Sequence, residues 1–307
     1  MQSRPLETPV VMFVFNRPAT TQRVFRAVAQ ARPRTLLLVA DGPRLTKVGE
    51  AEACEQVRSI VNEVDWQCDV KTNFSDSNLG CQERIISGLD WVFSLVEEAI
   101  ILEDDCLPAQ SFFPFCQELL ERYRHDNRIA AISGTNLVQN YVTTSESYYF
   151  SQLGGIWGWA TWKEMWQRYD RDLNDWPRFK AGKKLHEIFS DNNVIAYWTD
   201  VFDTMYAKEN APNTWDYQWI FSCLKNNSLI AMPRVNQVTN IGFGVGATHT
   251  QSEDERLIQK TTELEFPLIH PLDFVPMRSL DRRFLSLYRQ GFLQRIRNRF
   301  RYALFSA

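Results

Sequence analysis

Two rhythms of hydrophobicity alternate through the first hundred residues. Apolar-rich runs at residues 9–15, 35–40 and 98–102 read as strands, the last of them buried, and residues 68–73 supply another. Between them, residues 19–31, 47–63 and 80–96 space their apolar positions at helical intervals. In the last of these Ile85, Leu89, Val92, Phe93 and Val96 share one face. Strand alternating with helix predicts an α/β fold whose central sheet is mostly parallel, flanked by helices and joined by right-handed crossovers. Beyond residue 125 the rhythm is less regular. Strands are expected near 129–133 and 147–150 and helices at 184–190, 194–208 and 215–226, with a Gly/Trp-rich run at 154–162. Gly242, Gly244 and Gly246 mark residues 240–249 as a loop whose backbone can approach a ligand closely. No repeat, low-complexity tract or linker divides the chain.

The strand at 98–102 runs straight into Glu103-Asp104-Asp105. These acids should emerge together at its carboxyl end, where ligands bind in open α/β sheets. Carboxylates crowded at one strand end repel one another unless a cation compensates them. A hard divalent ion, Mn²⁺ or Mg²⁺, is the natural partner, because such ions take one or two carboxylates and complete their shell with water and substrate phosphates. The pattern therefore points to a substrate carrying a diphosphate. The bland alternative is a solvated turn that opens the next helix, with Pro108 in its first turn.

Composition narrows the picture only a little. At 44% hydrophobic and 23% charged residues the chain is ordinarily globular, and its 10 Trp, 10 Tyr and 20 Phe suit either carbohydrate recognition or a plain aromatic core. Six cysteines without C-x-x-C pairing fit reduced thiols in a cytosol and argue against a zinc site. The apolar run at 10–15 is too short for a signal sequence or a membrane span, and a cytoplasmic location is expected. The chain contains neither G-x-G-x-x-G nor G-K-S/T, which removes support for dinucleotide and P-loop sites. Charge is uneven, however. Residues 278–307 hold eight Arg and one Asp, leaving 26 basic and 36 acidic residues elsewhere, so the tail is +7 and the body −10. Phe284, Leu285, Tyr288, Phe292, Ile296, Phe300 and Phe305 are threaded among those arginines, as in helices that lie on an anionic membrane. The expectation is a basic C-terminal helix that meets the inner face of a membrane through residues 279–307, or else packs on the acidic body. A nucleic-acid partner is not expected.

The order of these motifs resembles the GT-A nucleotide-sugar glycosyltransferases, in particular those similar to N-acetylglucosaminyltransferase I, over roughly residues 9–250. The matching features are Asn16-Arg17 after the first strand, Asp41-Gly42 after the second, the helix from Asn78-Leu79-Gly80, and Glu103-Asp104-Asp105. They continue with the Phe-rich Ser111-Phe112-Phe113-Pro114-Phe115, the Gly/Trp run at 154–162 and Trp215-Asp216-Tyr217-Gln218-Trp219. The resemblance implies a GT-A fold with a donor-binding half (1–125), an acceptor-binding and catalytic-base half (126–275) of the same domain, and the basic helical tail (276–307). It implies that Arg17 and Asp41, with Asn16, contact the nucleobase and ribose, and that Asp104, with Glu103, faces the ribose or donor sugar. Asp105 would hold the metal on the diphosphate, with His249 a further contact to metal or diphosphate, or simply a surface histidine. Gly155, Trp157, Trp159 and Trp215 would line the acceptor or donor-sugar side.

Asp216 would be the general base of an inverting transfer, taking the acceptor hydroxyl proton on the face opposite the leaving group. The implied donor is a UDP-sugar before a GDP-sugar, and the acceptor a carbohydrate or lipid-linked glycan, as in bacterial-type surface glycan synthesis. Two departures stand out: Asn replaces Asp before Arg17, and Tyr217-Gln218 follow Asp216 where the family has adjacent acids. Asp41-Gly42-Pro43 could equally be an ordinary turn, Asp216 an N-cap, and the tryptophans core packing. Two other classes compete: a sugar-nucleotide nucleotidyltransferase, which should open on a Gly-rich triphosphate loop where Phe15-Asn16-Arg17-Pro18 stands, and a non-catalytic glycan-binding protein, which would not need these acids.

Overall fold

The computed structural model describes residues 6–209, 211–242 and 259–287. Ten strands are present among them: β1 (Val10–Val14), β2 (Thr35–Ala40), β3 (Asp69–Phe74), β4 (Glu98–Glu103), β5 (Cys106–Pro108), β6 (Ile129–Ser133), β7 (Tyr148–Ser151), β8 (Trp159–Trp162), β9 (Leu229–Pro233) and β10 (Val238–Asn240). Eight form one sheet in the order β3-β2-β1-β4-β8-β6-β9-β7, and β10 pairs separately with β5. β1 to β4 are mutually parallel, as are β6 and β9, whereas β8 and β7 run against their neighbours. The chain thus adopts the expected α/β class, a mostly parallel central sheet flanked by helices. Strands from both sides of residue 125 share the one sheet.

The long helices are α1 (Pro18–Ala31), α2 (Glu50–Arg58), α3 (Cys81–Leu95) and α4 (Phe112–Tyr123). The short ones are α5 (Lys163–Trp166), α6 (Trp176–Ala181) and α7 (Lys184–Ile188), followed by α8 (Asn192–Ala207) and α9 (Asp216–Lys225). β1 is buried along its whole length and β2 and β4 almost so, which explains their unbroken apolar sequences. The chain builds β1, β2 and β3 outward in one direction and then returns to place β4 on the other side of β1. That reversal is a topological switch point, and in open α/β sheets the crevice for a ligand lies there, at the carboxyl ends of the strands. The register brings those ends level: Phe13 lies beside Glu103, Val14 beside Ala40, and Ala40 beside Phe74.

Several elements depart from the sequence-based expectation. The Gly/Trp run contains β8, a fully buried strand between β4 and β6, because its Trp-Ala-Thr-Trp segment packs on both faces of the sheet. The acids are followed by β5 rather than directly by a helix, and Asn240 ends β10 before the glycine-rich segment begins. The tail also differs. Residues 278–287 form a helix that buries Leu280, Asp281, Phe284 and Leu285. Before it, Met277 N–H donates to Phe150 O at 2.8 Å, and Ser151 Oγ donates to Asp281 Oδ1. This part of the basic tail packs on the body; residues 288–307 lie outside the described residues.

Gly88 sets how closely α3 packs on the sheet. A Cβ there would fall 2.4 Å from Phe13 Cε1 and 2.8 Å from Val39 Cγ1. Helix propensity alone favours alanine by about 1 kcal/mol, but overpacking a core typically costs about 1–3 kcal/mol. Because both neighbours belong to buried strands that cannot yield, Gly88→Ala is expected to lower unfolding free energy in urea. An increase would contradict this packing.

Candidate active site at the carboxyl ends of the strands

Four backbone segments converge at the switch point: the turn after β1, the turn after β2, the loop that opens α3 and the end of β4. Each matches a motif singled out from the sequence. Arg17 Nη1 donates to Asp105 Oδ2 at 2.9 Å and lies 3.9 Å from Asp104 Oδ1. Asp104 Oδ2 accepts the Phe15 N–H at 3.1 Å, which ties the end of β4 to the turn after β1. Burial pushes the Glu103 and Asp104 carboxyls well above the usual carboxylate range, and the charge of Asp105 adds to both shifts. Arg17 opposes the shift in each case.

Asp41 takes a different place from the one expected. Its Oδ1 accepts the Gly42 and Leu79 N–H groups at 2.8 and 2.9 Å, and its Oδ2 accepts the Gly80 N–H and Asn78 Nδ2 at 3.0 and 2.9 Å. The buried carboxylate is fully used in holding the 78–80 loop, so it is a scaffold for the site rather than a free nucleotide contact. Asn16 is likewise engaged, its Nδ2 donating to Glu50 Oε1 at 2.8 Å. Glu50 is buried, and its side-chain hydrogen bonds with Arg44 draw its carboxyl down to about 2. Arg44 then lies over the Phe15 ring, 5.4 Å from its centroid. Nothing in the local sequence marks Glu50 as buried, since an acid in a first helical turn is ordinary surface chemistry.

Asp216 begins α9 and accepts a hydrogen bond from Thr214 Oγ1 on Oδ1. Its charge adds to the upward shift of the Glu103 carboxyl. Asn213 Oδ1 accepts the Gln82 N–H at 3.0 Å, fastening this segment to the start of α3. Cys81, unremarked in the sequence, lies among these acids. Burial pushes its thiol up to about 12, and Glu103, Asp216, Asp41 and Asp105 all add to the shift.

The aromatic expectation is corrected in part. Trp159 and Trp215 are each 2% exposed, and their rings stack on one another at 5.5 Å. Trp219 packs on Trp159 at 5.2 Å. These rings form core beneath the site and offer no face to a sugar. Gly155 is also buried, and its carbonyl accepts Ser133 Oγ at 2.8 Å. Trp157 is half-buried, with its carbonyl held by Thr135 Oγ1 at 2.6 Å. His249 lies outside the described residues.

Gly242 was the unexpected neighbour. Ile241 N–H donates to Asp105 O at 2.8 Å, which lays residue 242 over the Arg17–Asp105 pair. A Cβ there would fall 2.2 Å from Asp105 Oδ2 and 2.7 Å from Arg17 Nη1. The glycine-rich segment does permit a close backbone approach, but in this structure to the acid.

Among the described residues no group of three or more His, Cys, Asp and Glu side chains is arranged to hold a metal ion unaided. The donor set still fits a hard divalent cation. It is all oxygen and carries more acidic than basic charge, and Mn²⁺ or Mg²⁺ normally takes only one or two carboxylates beside substrate phosphates.

No protein-family model matches this chain, and no curated protein does. Among solved structures it is similar to the mannosyltransferase PcManGT from Pyrobaculum calidifontis, in complex with GDP-Man and Mn²⁺. The two are 15% identical with a TM-score of 0.37, over 54% of this chain and 47% of that one. The chain thus spans about half the length of that relative, and a likeness at this level bears on neither residue roles nor substrate.

The raised carboxyls carry a sign for stability. As pH rises above the ordinary carboxylate range, the folded chain still holds protons on the Glu103 and Asp104 pair that the unfolded chain has released. The stability this contributes is fully present below the unfolded value and is lost as pH rises through the folded one. Without divalent ions, the melting temperature should therefore fall from pH 5 to pH 9, and Glu103→Gln should flatten the fall. A native profile already flat over that span would contradict the desolvation of Glu103.

Proposed function

We propose that this chain is a metal-dependent, inverting glycosyltransferase of the GT-A type, transferring a sugar from a nucleoside-diphosphate donor to a hydroxyl acceptor. The observation that carries the reading is the set of carboxylates at the end of β4 beside Arg17 at the switch point. A UDP-sugar is the first choice of donor and a GDP-sugar the second, with a surface or lipid-linked glycan as acceptor. Asp105 would hold Mn²⁺ or Mg²⁺, which supplies charge neutralisation for the departing diphosphate. Asp216 is the base that accepts the acceptor proton as the hydroxyl oxygen attacks the anomeric carbon. Thr214 fixes the carboxylate by hydrogen bonding to one oxygen, Oδ1. Glu103 and Asp104 border the donor, and Asp41 supports the loop beside it.

Thermal stabilisation by UDP or GDP should require Mn²⁺ and should vanish in Asp105→Ala, since a ligand that binds only the folded state raises its melting temperature. Asp216→Asn should keep that stabilisation while sugar transfer falls by about 10²–10⁴-fold, the usual worth of a general base. Stabilisation that is indifferent to Mn²⁺ and to Asp105 would overturn the donor site.

The second part of the proposal is peripheral attachment at an anionic membrane. No helix among the described residues is long and apolar enough to cross one. The helix at 278–287 turns its apolar residues inward, while Arg278, Arg282 and Arg283 are exposed. Arg289, Arg295, Arg297, Arg299 and Arg301 follow in the sequence. Because residues 278–287 belong to the folded body, a deletion that tests this must begin after Leu287. Removing residues 288–307 should release the protein from phosphatidylglycerol vesicles in flotation without lowering its melting temperature; undiminished flotation would contradict the attachment.

A further inference from the structure

The Arg17–Asp105 ion pair lies where the divalent cation of the proposed reaction would have to bind. Both side chains are largely withdrawn from water, 20% and 18% exposed. Arg17 also stands within 3.9 Å of Asp104, so one guanidinium serves two of the three consecutive acids. The pair is covered as well as formed. Pairing of β10 with β5 and the Ile241 hydrogen bond bring Gly242 to a distance that no residue with a Cβ could occupy without displacing Asp105 Oδ2 or Arg17 Nη1.

We propose that Arg17 is the resident counter-ion of the acid cluster, and that a divalent cation competes with it for Asp105. This rests on the donor-site reading given under Proposed function and deepens it. A cation arriving alone must break a charge-assisted hydrogen bond and leave the guanidinium without that acid. A cation arriving with a nucleoside diphosphate brings phosphate oxygens, to which a guanidinium binds as readily as to a carboxylate. Arg17 then exchanges one anion for another. Metal and nucleotide therefore bind with positive coupling, and bare metal binds poorly. Arg17 is a positioning residue in this scheme, setting the order in which the site fills.

The test is calorimetric titration of Mn²⁺ into the full chain, with and without UDP or GDP, for the native protein, Arg17→Gln, Arg17→Met and Arg17→Lys. Loss of one charge-assisted bond corresponds to about tenfold in affinity. Arg17→Gln and Arg17→Met should bind Mn²⁺ alone about tenfold more tightly than the native chain, while Arg17→Lys stays close to it. With Mn²⁺ saturating, both neutral variants should bind the nucleoside diphosphate more weakly. A residue that merely props up the fold would weaken both affinities together. Unchanged or weaker binding of bare Mn²⁺ by the neutral variants would overturn the proposal. If neither the native chain nor any variant binds Mn²⁺ even with nucleotide present, the donor-site reading fails, and the competition with it.

Discussion

Carboxylates confined at the end of a buried strand repel one another, and the site is organised around that repulsion. After Glu98, β4 is apolar until its last residue, and it then delivers Glu103, Asp104 and Asp105 into a space already short of water. Burial without compensation favours protonated acids. Compensation comes from Arg17, placed by the turn after β1, and from the Phe15 N–H on Asp104. Neither would be in position without the parallel pairing of β1 and β4, which sets Phe13 beside Glu103. The sheet register is thus the means by which separated stretches of sequence become one electrostatic unit.

Around that unit, other polar groups hold the walls. Asp41 spends its carboxylate on the 78–80 loop, Asn213 fastens the start of α3, and Glu50 gathers Arg44 and Asn16 beneath the turn after β1. Such saturated networks rigidify the places from which functional side chains project. Arg17, Asp105 and Asp216 are the projecting groups in the proposed reaction. Trp159 stacks on Trp215 and packs against Trp219, an apolar cluster at the start of α9.

The first 125 residues were legible in the sequence because β1, β2 and β4 are buried almost throughout and the helices between the strands are amphipathic. β2 and β6 fall at their expected residues, and β1, β3 and β4 differ by a residue or so at their ends. Legibility fell where period and composition conflict. β8 lies in a Gly/Trp-rich run that looks like a loop, and four residues are too few to show a period. β9 and β10 are only five and three residues long, too short to show a period, even though Asn226-Asn227-Ser228 marks the turn before β9. At the proposed site, motif order singled out the acids, Arg17 and Asp216, whereas partnerships were invisible. No local pattern told Asp41 that its oxygens would be consumed by backbone N–H groups, or Trp159 that its ring would face Trp215. The basic tail divides for a similar reason: its arginines are evident in sequence, but which apolar positions meet the body depends on the β7 edge and the Met277–Phe150 contact.

The account turns on whether Asp105 receives a divalent cation together with a nucleoside diphosphate. Diffraction at the manganese absorption edge, from crystals grown with Mn²⁺ and UDP or GDP, addresses that most directly. The account predicts an anomalous peak bonded to the Asp105 carboxylate and to phosphate oxygens, with the Arg17 guanidinium moved from Asp105 to the phosphates. Nucleotide bound with no manganese at Asp105 and the Arg17–Asp105 pair still closed would contradict it.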